Sequence, residues 1–494
     1  MDIAFLSANE IASRIRSKEF SCREILEHYL ERIDRFNPEL NAIVVDLREE
    51  GLETADRLDE LVQKGEFLGP LHGVPMTVKE SYNVAGTPTT FGKPELKDNR
   101  TDSDADSVRK LRAAGVNIFG KTNVPLDLAD FQSYNDIYGT TNNPYSLDRI
   151  PGGSSGGSAA ALAAGLTGLE TGSDIGGSIR NPAHFCGVFG HKPTFDLLWR
   201  KGHSPVPENV GFGDISVIGP LARSALDLDT SIRVVAGPDE IMSRGYKLDL
   251  PEWKGRSLSE LSVGVWKTDD MAPVTKETQA RVERVAEAFR EEGASIDMEA
   301  RPNIDVSHSH EVYGRLLQPT MSSRMPEEQY ERLRKQVDAL DSDDQSVGAQ
   351  TMRAQVSSFK DFASANELRH RIRWEWHEFF KRYDVLLTPT MPTPAFKHDH
   401  GKFGERRILV DNDERSYFEG VFWAGLSGVA YLPSTIVPTG LNAEGLPIGV
   451  QIIGPEYSDL VTIGIAMELE RKGFKFEEPK AFASEEKYIG GKRK

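Results

Sequence analysis

The chain has 494 residues, which is enough for one large α/β domain or for two to three ordinary domains with substantial cores. Its 76 Asp and Glu residues outnumber its 59 Lys and Arg residues and give a formal charge of -17, so no basic surplus is available to bind phosphate backbones or anionic lipid. This composition argues against a nucleic-acid or membrane partner, and no run of about 18 apolar residues predicts a membrane span.

The first predicted element is an amphipathic helix over residues 9–37. Apolar side chains recur there at helical spacing after a capping box that begins at Ser21. A second helix is predicted over residues 107–114, where Gly115 stops it and a short buried strand follows at 116–119. Helix and strand therefore alternate early in the chain.

The glycine- and proline-rich stretch 151–190 is interrupted by a predicted helix at 159–164, because Ala and Leu are strong helix formers. Residues 302–355 have weaker periodicity and predict variable loops and helices. The order of helix and then strand returns twice more, at 282–289 with 294–296 and at 368–380 with 385–387. This repeated alternation predicts an α/β sheet protein.

A match to the phosphate-loop pattern G-x-x-x-x-G-K-[ST] begins at Gly115 and ends at Thr122. A working phosphate loop follows a strand and opens a helix. Here Val116 and Ile118 make the loop positions themselves a strand, and Pro125 opposes a helix after it. We therefore interpret the segment as a strand that ends at a turn, and keep nucleotide binding only as an alternative function of another class.

Two further patterns are weak. Residues 152–156 match the G-x-S-x-G turn of α/β-hydrolases but lack the strand that this turn requires before its serine. The histidine pairs His308 with His310 and His398 with His400 lack helical i, i+4 spacing and a clear pattern of carboxylate partners, so we expect exposed loop histidines and no metal. Since no histidine belongs to a catalytic pattern, lysine is the candidate for activating a serine.

Three segments carry the main chemical pattern: residues 74–80 (VPMTVKE), 152–158 (GGSSGGS) and 172–180 (GSDIGGSIR). Together they closely resemble the amidase signature family. Supporting matches follow in the family's order over most of the chain, namely GKTN at 120–123, FCG at 185–187, KPT at 192–194, GPLAR at 219–223 and GLPIGVQ at 445–451. Any one match would be weak, but the series is highly specific.

This resemblance implies a catalytic triad in which Ser178 is the nucleophile, Ser154 is a bridging serine after a cis peptide bond, and Lys79 is the base. A serine hydroxyl is a weak nucleophile until a base removes its proton, and a lysine amine can do so only when neutral. The pKa of Lys79 must then fall from about 10.4 towards roughly 7 to 8. Burial beside the strand-like residues 75–78 would lower it in this way.

The glycines before the nucleophile allow backbone N–H groups to point inward together. By resemblance, the oxyanion hole consists of the backbone amides of Ile175, Gly176, Gly177 and Ser178. Three further residues, Ser155, Asp174 and Arg180, are expected to support these loops by hydrogen bonds. The alternative for Asp174 and Arg180 is a surface ion pair.

The fold that the resemblance implies is a single large α/β domain over residues 1–494, with a central mixed, mostly parallel twisted sheet flanked by helices. The catalytic core is expected within 60–225. A variable region of helices and loops, 300–380, is expected to line the substrate entrance.

Two departures from the common family pattern bear on the substrate rather than on the triad. Glu80 and Ser81 replace the frequent Asp-Asn after the lysine, and His191 stands where a leucine is common. Three aromatic residues are candidates for a substrate pocket, although at least one is expected in the core: Tyr134, Tyr138 and Trp423.

The main functional hypothesis is hydrolysis of a small-molecule carboxylic amide, and also of esters or carbamates, through an acyl-enzyme on Ser178 without a cofactor. The alternative within the family is the glutaminase subunit of a tRNA-dependent amidotransferase, which would need partner proteins. A homodimer stays open. Sparse cysteines, Cys22 and Cys186, and an acidic N-terminal segment unlike a signal peptide predict a cytoplasmic location.

Overall fold

An eight-stranded mixed sheet forms the centre of the protein. The computed structural model describes residues 2–206, 209–211, 213–344 and 346–483. Its strands, in chain order, are β1 (Ile43–Asp46), β2 (Pro75–Lys79), β3 (Asn117–Thr122), β4 (Tyr134–Asn135), β5 (Gly139–Thr140), β6 (Glu170–Asp174), β7 (Phe189–Lys192), β8 (Val217–Ala222), β9 (Ser262–Val265), β10 (Ser295–Asp297), β11 (Val385–Pro389), β12 (Arg407–Val410), β13 (Asp413–Ser416), β14 (Ser434–Leu441) and β15 (Pro447–Ile453).

Helices pack around this sheet. In chain order they are α1 (Ala8–Arg16), α2 (Cys22–Leu40), α3 (Arg48–Lys64), α4 (Asp106–Ala113), α5 (Gly156–Ala163), α6 (Arg180–Cys186), α7 (Ala225–Val235), α8 (Lys276–Glu291), α9 (Val306–Ser322), α10 (Glu327–Asp338), α11 (Val347–Gln355), α12 (Phe359–Phe379), α13 (Gly420–Val429) and α14 (Asp459–Arg471). Among the described residues, no helix combines the length and apolarity that a bilayer crossing requires.

The strand order of the large sheet is β10-β9-β11-β15-β14-β7-β8-β6. The sheet is mixed, as predicted, but it is mostly antiparallel, so the expectation of a mostly parallel sheet is wrong. Strand β9 pairs in parallel with β10 and β11, whereas the other five neighbouring pairs are antiparallel. Alternating helices and strands predict parallel crossovers. Here β14 and β15 instead form a hairpin, and β8 lies antiparallel between β6 and β7.

A smaller sheet, in the order β1-β3-β2, continues the large one at its β6 edge. Strands β2 and β3 are parallel, and an isolated parallel bridge joins Met76 of β2 to Leu169 just before β6. Every residue of β2 and of β6 is buried. The ends of these two strands are therefore brought together inside the protein.

The helix–strand alternation read from the sequence is confirmed in three places, at α4 with β3, α8 with β10 and α12 with β11. The single helix expected over 9–37 is wrong, because the segment forms α1 and α2. Lys18 adopts a left-handed conformation between them, with φ of 60°. The predicted capping box at Ser21 is present, and it starts α2 rather than lying inside a longer helix.

Helix α5 accounts for the Ala- and Leu-rich run that interrupts the glycine-rich stretch. All of its residues are buried, and Ala159 to Ala164 belong to the main hydrophobic core. Helix α5 begins at Gly156. The turn of residues 153–155 therefore leads directly into a buried helix. The region 300–380 consists mainly of helices α9 to α12.

Candidate active site

Lys79 is the last residue of β2 and is completely buried. Its Nζ lies 2.7 Å from Ser154 Oγ, 2.9 Å from Ser155 Oγ and 3.0 Å from Ser173 Oγ. The sequence predicted the first of these contacts and placed Ser155 nearby, but it missed Ser173. That residue belongs to β6, and only the packing of β6 beside β2 brings it to the lysine.

Burial lowers the pKa of Lys79 well below its ordinary value, and the charge of Arg324 lowers it further. Asp174 and Glu170 act in the opposite direction, since their negative charges favour the ammonium form. Burial is the largest of these effects. The surroundings of Lys79 therefore favour a neutral amine, which has a lone pair that can accept a proton.

Ser154 and Ser155 occupy the turn before α5. The predicted cis peptide bond is present between Gly153 and Ser154. Asn181 of α6 holds this turn, because its side chain accepts a hydrogen bond from the Gly153 amide at 2.9 Å and donates one to the Gly153 carbonyl at 2.6 Å. A Cβ at Gly153 would collide with the carbonyl oxygen of Asp130, so the close approach requires glycine.

Ser178 lies between β6 and α6 and is 8% exposed. Its carbonyl accepts a hydrogen bond from the Ser155 amide at 3.1 Å, which ties the two serine-bearing turns together. Ser154, Ser173 and Ser178 all line one cavity. Within the described part of the chain, the Ser178 hydroxyl has no hydrogen-bond partner, and it is related to Ser154 by their shared place on the cavity wall.

The segment after β6 arranges backbone amides around Ser178. Gly177 has a φ of 104°, which glycine adopts without strain. Its amide donates to Asp174 Oδ1 at 2.9 Å and so differs from the other three predicted oxyanion donors. The amides of Ile175, Gly176 and Ser178 have no acceptor among the described residues. The loop thus leaves three of its four predicted donors available.

Asp174 and Arg180 form a buried ion pair, with 2.8 Å between Asp174 Oδ1 and Arg180 Nη2. The alternative of a surface pair is therefore wrong. Burial by itself would raise the pKa of Asp174, but the charge and hydrogen bonds of Arg180 and the Ile179 amide lower it to about 2. Arg180 Nη1 also donates to Ser427 Oγ at 2.7 Å and to Gln451 Oε1 at 2.8 Å. These bonds connect the loop to α13 and β15.

A cavity of about 570 Å³ opens beside the serines. Its wall includes four residues that were not predicted from the sequence: Ser173, which lies inside the segment 172–180, and Arg200, His203 and Arg324, which lie outside the three main segments. No local signal marks Arg200 or Arg324 as site residues, because each reaches the cavity through packing of distant segments. Three further lining residues come from α9 and its end: Thr320, Met321 and Ser323.

The two departures from the family pattern have clear structural partners. Glu80 is buried and accepts hydrogen bonds from the amides of Thr90 and Phe91 at 2.6 and 3.0 Å. Ser81 Oγ lies 2.9 Å from Nε2 of His203, a cavity residue. His191 is buried away from the cavity lining, and its Nε2 lies 3.0 Å from Asp459 Oδ1. Of the three residues that depart from the family pattern, Ser81 is therefore the one that contacts a described residue of the cavity wall.

The phosphate-loop match is a strand, as the sequence indicated, since β3 covers most of it. Lys121 is buried there and donates to the carbonyl of Pro88. Among the histidines, His308 and His310 lie in α9, so their predicted loop position is wrong. The described residues contain no cluster of His, Cys, Asp and Glu that could hold a metal ion.

None of the three aromatic candidates lines the cavity. Trp423 is a core residue of α13, as expected for at least one of them, and its indole donates to the Ala272 carbonyl. The Tyr134 hydroxyl accepts from Arg406, and the Tyr138 hydroxyl donates to Glu80. The described cavity wall instead combines serines and two arginines with aliphatic side chains such as Leu128 and Ile175.

Comparison with known proteins identifies the family of the chain. The sequence model of the Amidase family matches residues 24–462. The chain is 31% identical to a glutamyl-tRNA(Gln) amidotransferase subunit of Carboxydothermus hydrogenoformans, covering 95% of this chain and 98% of the relative. It is also 31% identical to fatty-acid amide hydrolase 2-A of Danio rerio, covering 97% of this chain and 90% of that protein.

Among solved structures, a bacterial aryl acylamidase of the amidase signature enzymes superposes with a TM-score of 0.79. It is 26% identical and covers 94% of this chain and 96% of its own. These matches span nearly the whole chain and include the segments that carry Lys79, Ser154 and Ser178. The chain therefore belongs to the amidase signature family, whose members hydrolyse amides.

Proposed function

We propose that this protein is a serine amidohydrolase that cleaves a small-molecule carboxylic amide through an acyl-enzyme on Ser178. The observation that carries the proposal is the distance of 2.7 Å between the buried Lys79 amine and Ser154 Oγ, with Ser154 and Ser178 on the same cavity wall. A base, a bridging hydroxyl and a nucleophile are the groups that acyl transfer needs.

In the proposed reaction, the neutral amine of Lys79 accepts the proton of Ser154 while Ser154 takes the proton of Ser178. The Ser178 oxygen then bonds to the amide carbon, and the carbonyl oxygen becomes negative. The amides of Ile175, Gly176 and Ser178 would donate to that oxygen and stabilise it. Catalytic hydrogen bonds are often long before substrate binds, so the unpaired Ser178 hydroxyl is compatible with this relay.

The tetrahedral intermediate collapses by breaking the carbon–nitrogen bond. The proton held by Lys79 passes back through Ser154 to the leaving amine, which departs neutral. Water then attacks the acyl-enzyme by the same relay and releases the carboxylic acid and free Ser178. Esters and carbamates fit the same sequence of steps, because they too form a tetrahedral oxyanion. No step requires a cofactor.

We further propose that the variable region 300–380 lines the substrate entrance through the C-terminal end of α9. The cavity residues Thr320, Met321, Ser323 and Arg324 support this role. The region would then decide which amides reach Ser178. A cytoplasmic location and a homodimer stay predictions from the sequence.

The test is a panel of primary amides, anilides, amidated peptides and carbamates, with Ser178→Ala as the blank. Ser178→Ala should lose turnover and keep its circular dichroism spectrum, whereas the matched cavity variant Ser216→Ala should retain turnover. An alkyl fluorophosphonate should add its mass to the peptide that contains Ser178. Wild-type rates in Ser178→Ala would refute the proposal.

A second candidate function is that of a glutaminase subunit, and the similarity to an amidotransferase subunit over 95% of the chain favours it. The same panel separates the two functions when it includes glutamine. Turnover restricted to glutamine, together with copurifying partner proteins, would favour the glutaminase function. Turnover of several amides by the purified chain alone would favour a free-standing amidohydrolase.

A further inference from the structure

The described wall of the cavity beside Ser178 carries positive charge and no negative charge. Among its described lining residues there is no Asp or Glu, and two arginines are present, Arg200 and Arg324. The third basic residue is His203, whose pKa burial and the nearby Lys79 hold well below its ordinary value. His203 is therefore neutral at neutral pH, and the arginines carry the positive charge of the described wall.

The two arginines differ in what they contact. Arg200 Nη2 donates to the Gly213 carbonyl at 2.6 Å, so its guanidinium helps to build the wall. Among the described residues, the Arg324 guanidinium has one hydrogen bond, a weak contact of 3.5 Å from Nη2 to Met321 Sδ. Its guanidinium carbon lies 5.6 Å from the centre of the Phe91 ring. Most of its hydrogen-bond donors are therefore unused by the described part of the protein.

No carboxylate of the described residues lies within ion-pair distance of Arg324. Asp127 attracts it from further away, but Asp127 itself pairs with Lys93 at 3.0 Å. A partly buried guanidinium that lacks a carboxylate partner is unusual, because removing its charge from water is costly. An anion supplied from outside the protein would provide the missing partner.

The guanidinium is well suited to a particular anion. It is planar, keeps its charge at all ordinary pH values, and offers paired N–H donors that match the two oxygens of a carboxylate. The guanidinium lies over the ring of Phe91, a cation–π contact that holds it at the cavity wall without using its N–H donors. Arg324 and Ser178 line the same cavity, so one small molecule can reach both.

We infer that the substrate is an amide that also carries a carboxylate, which Arg324 binds while Ser178 attacks the amide carbon. This inference rests on the proposed function and adds the substrate class to it. Two sources share this chemistry. The carboxylate belongs either to the acyl part, as in the monoamide of a dicarboxylic acid, or to the amine part, as in an N-acyl amino acid.

The experiment compares anionic and neutral amides of similar shape. One pair is the monoamide of glutaric acid and its diamide, and the other is N-acetyl-β-alanine and N-propylacetamide. For one of the two pairs, wild-type kcat/KM should be higher for the anionic member. The Arg324→Gln variant should lower the anionic-to-neutral ratio by roughly 10- to 100-fold, the usual range for losing a charged hydrogen bond.

Two further variants serve as controls. Arg324→Lys keeps the positive charge and should recover part of the ratio. Arg315→Gln removes a half-buried arginine of α9 whose nearest acid is Glu311 at 3.8 Å, and it should leave the ratio as in the wild type. All rates are compared at pH values above the range in which Lys79 becomes protonated. This precaution is needed because Arg324 also lowers the pKa of Lys79, so its removal shifts that range. An anionic-to-neutral ratio that Arg324→Gln leaves unchanged would overturn the inference.

Binding measurements separate this inference from the proposed function. The Ser178→Ala protein should bind glutaric acid monoamide more tightly than the diamide in calorimetry, and the double variant with Arg324→Gln should lose that difference. If the monoamide binds through Arg324 but no amide is cleaved at Ser178, the inference about the carboxylate holds and the proposed reaction fails.

If amides are cleaved without preference for the anionic member of a pair, the proposed reaction holds and the inference about the carboxylate fails. Tighter binding of glutamine than of the monoamide would also count against it, since the described wall has no carboxylate for an ammonium group.

Discussion

The hydroxyl of Tyr313 donates a hydrogen bond of 2.6 Å to the carbonyl oxygen of Ile175. Tyr313 lies in α9 and is buried against Gly425 and Gly428 of α13. A trans peptide holds its C=O and N–H in opposite directions. Fixing the Ile175 carbonyl therefore also fixes the direction of the Gly176 N–H, one of the proposed oxyanion donors.

We expect Tyr313→Phe to reduce kcat more than it raises KM. The ring and its packing remain, but the Ile175–Gly176 peptide loses the bond that orients it. Losing an oxyanion donor outright costs roughly 100- to 1000-fold in kcat, so a donor that is only misdirected should cost about 10-fold. The measurement is steady-state kinetics on the best amide of the panel.

The matched control is Tyr29→Phe, which removes another buried hydroxyl that donates to a backbone carbonyl, that of Ala4 at 3.2 Å, outside the cavity. It should change kcat little. Equal losses in both variants would show a general effect on stability and would contradict the orienting role of Tyr313.

The pH profile should report the ionisation of Lys79. Burial lowers the pKa of this lysine, and only the neutral amine can accept a proton. Activity should therefore extend well below the ordinary pKa of a lysine, and it should fall as the pH drops through the lowered pKa and Lys79 becomes protonated. The measurement is kcat/KM against pH, with thermal unfolding followed over the same range. A rate that rises only where an ordinary lysine loses its proton would contradict this assignment.

The three hydroxyls around Lys79 give a second test of its charge. A neutral amine has two N–H donors and one lone pair, so one of Ser154, Ser155 and Ser173 must donate to it while the others accept. An ammonium would donate to all three. Removing one acceptor therefore disfavours the charged form more than the neutral form.

We expect Ser173→Ala to move the acid limb of the pH profile, where activity falls as Lys79 becomes protonated, to lower pH. The same variant should lower kcat by about 10-fold, because one of the groups that hold the amine in place is lost. Ser204→Ala, a change at another serine of the cavity wall, should leave the limb in place. A limb that moves to higher pH in Ser173→Ala would exclude an acceptor role for this hydroxyl.

The buried pair of Asp174 and Arg180 should matter for stability as well as for activity. Replacing Arg180 by Met leaves the Asp174 carboxylate buried without its partner, which typically costs about 3 to 5 kcal/mol. The exposed pair of Arg332 and Glu328 provides the control, since Arg332→Met should cost less than about 1 kcal/mol. Urea unfolding curves measure both values. Similar losses for the two variants would contradict the structural role of Arg180.

Much of the candidate site could be predicted because its parts are short and continuous in sequence. The serine- and glycine-rich turn at 152–158 and the loop at 172–180 carry their chemistry within a few residues. Lys79 could be expected in a buried position from the apolar residues just before it. The helices and strands followed from periodicity in the same local way, with errors where a turn such as that at Lys18 divides a helical pattern.

Strand direction could not be predicted in this way. Alternating helices and strands indicate which segments are strands, but they do not indicate that β8 lies between β6 and β7 and runs antiparallel to both. The same holds for Ser173, which contacts Lys79 through the adjacency of β2 and β6. A hydrogen bond across two strands leaves no signal in either strand alone.

By itself, the sequence determined the family, most of the helices and strands that it predicted, and the residues proposed for the chemistry, because these depend on local composition and spacing. Tertiary structure alone decided the burial that lowers the pKa of Lys79, the hydrogen bond from the Gly177 amide to Asp174, and the presence of Arg324 and Ser178 in the wall of one cavity. The physical reason is that charge, solvation and hydrogen bonding depend on which distant segments share the same space.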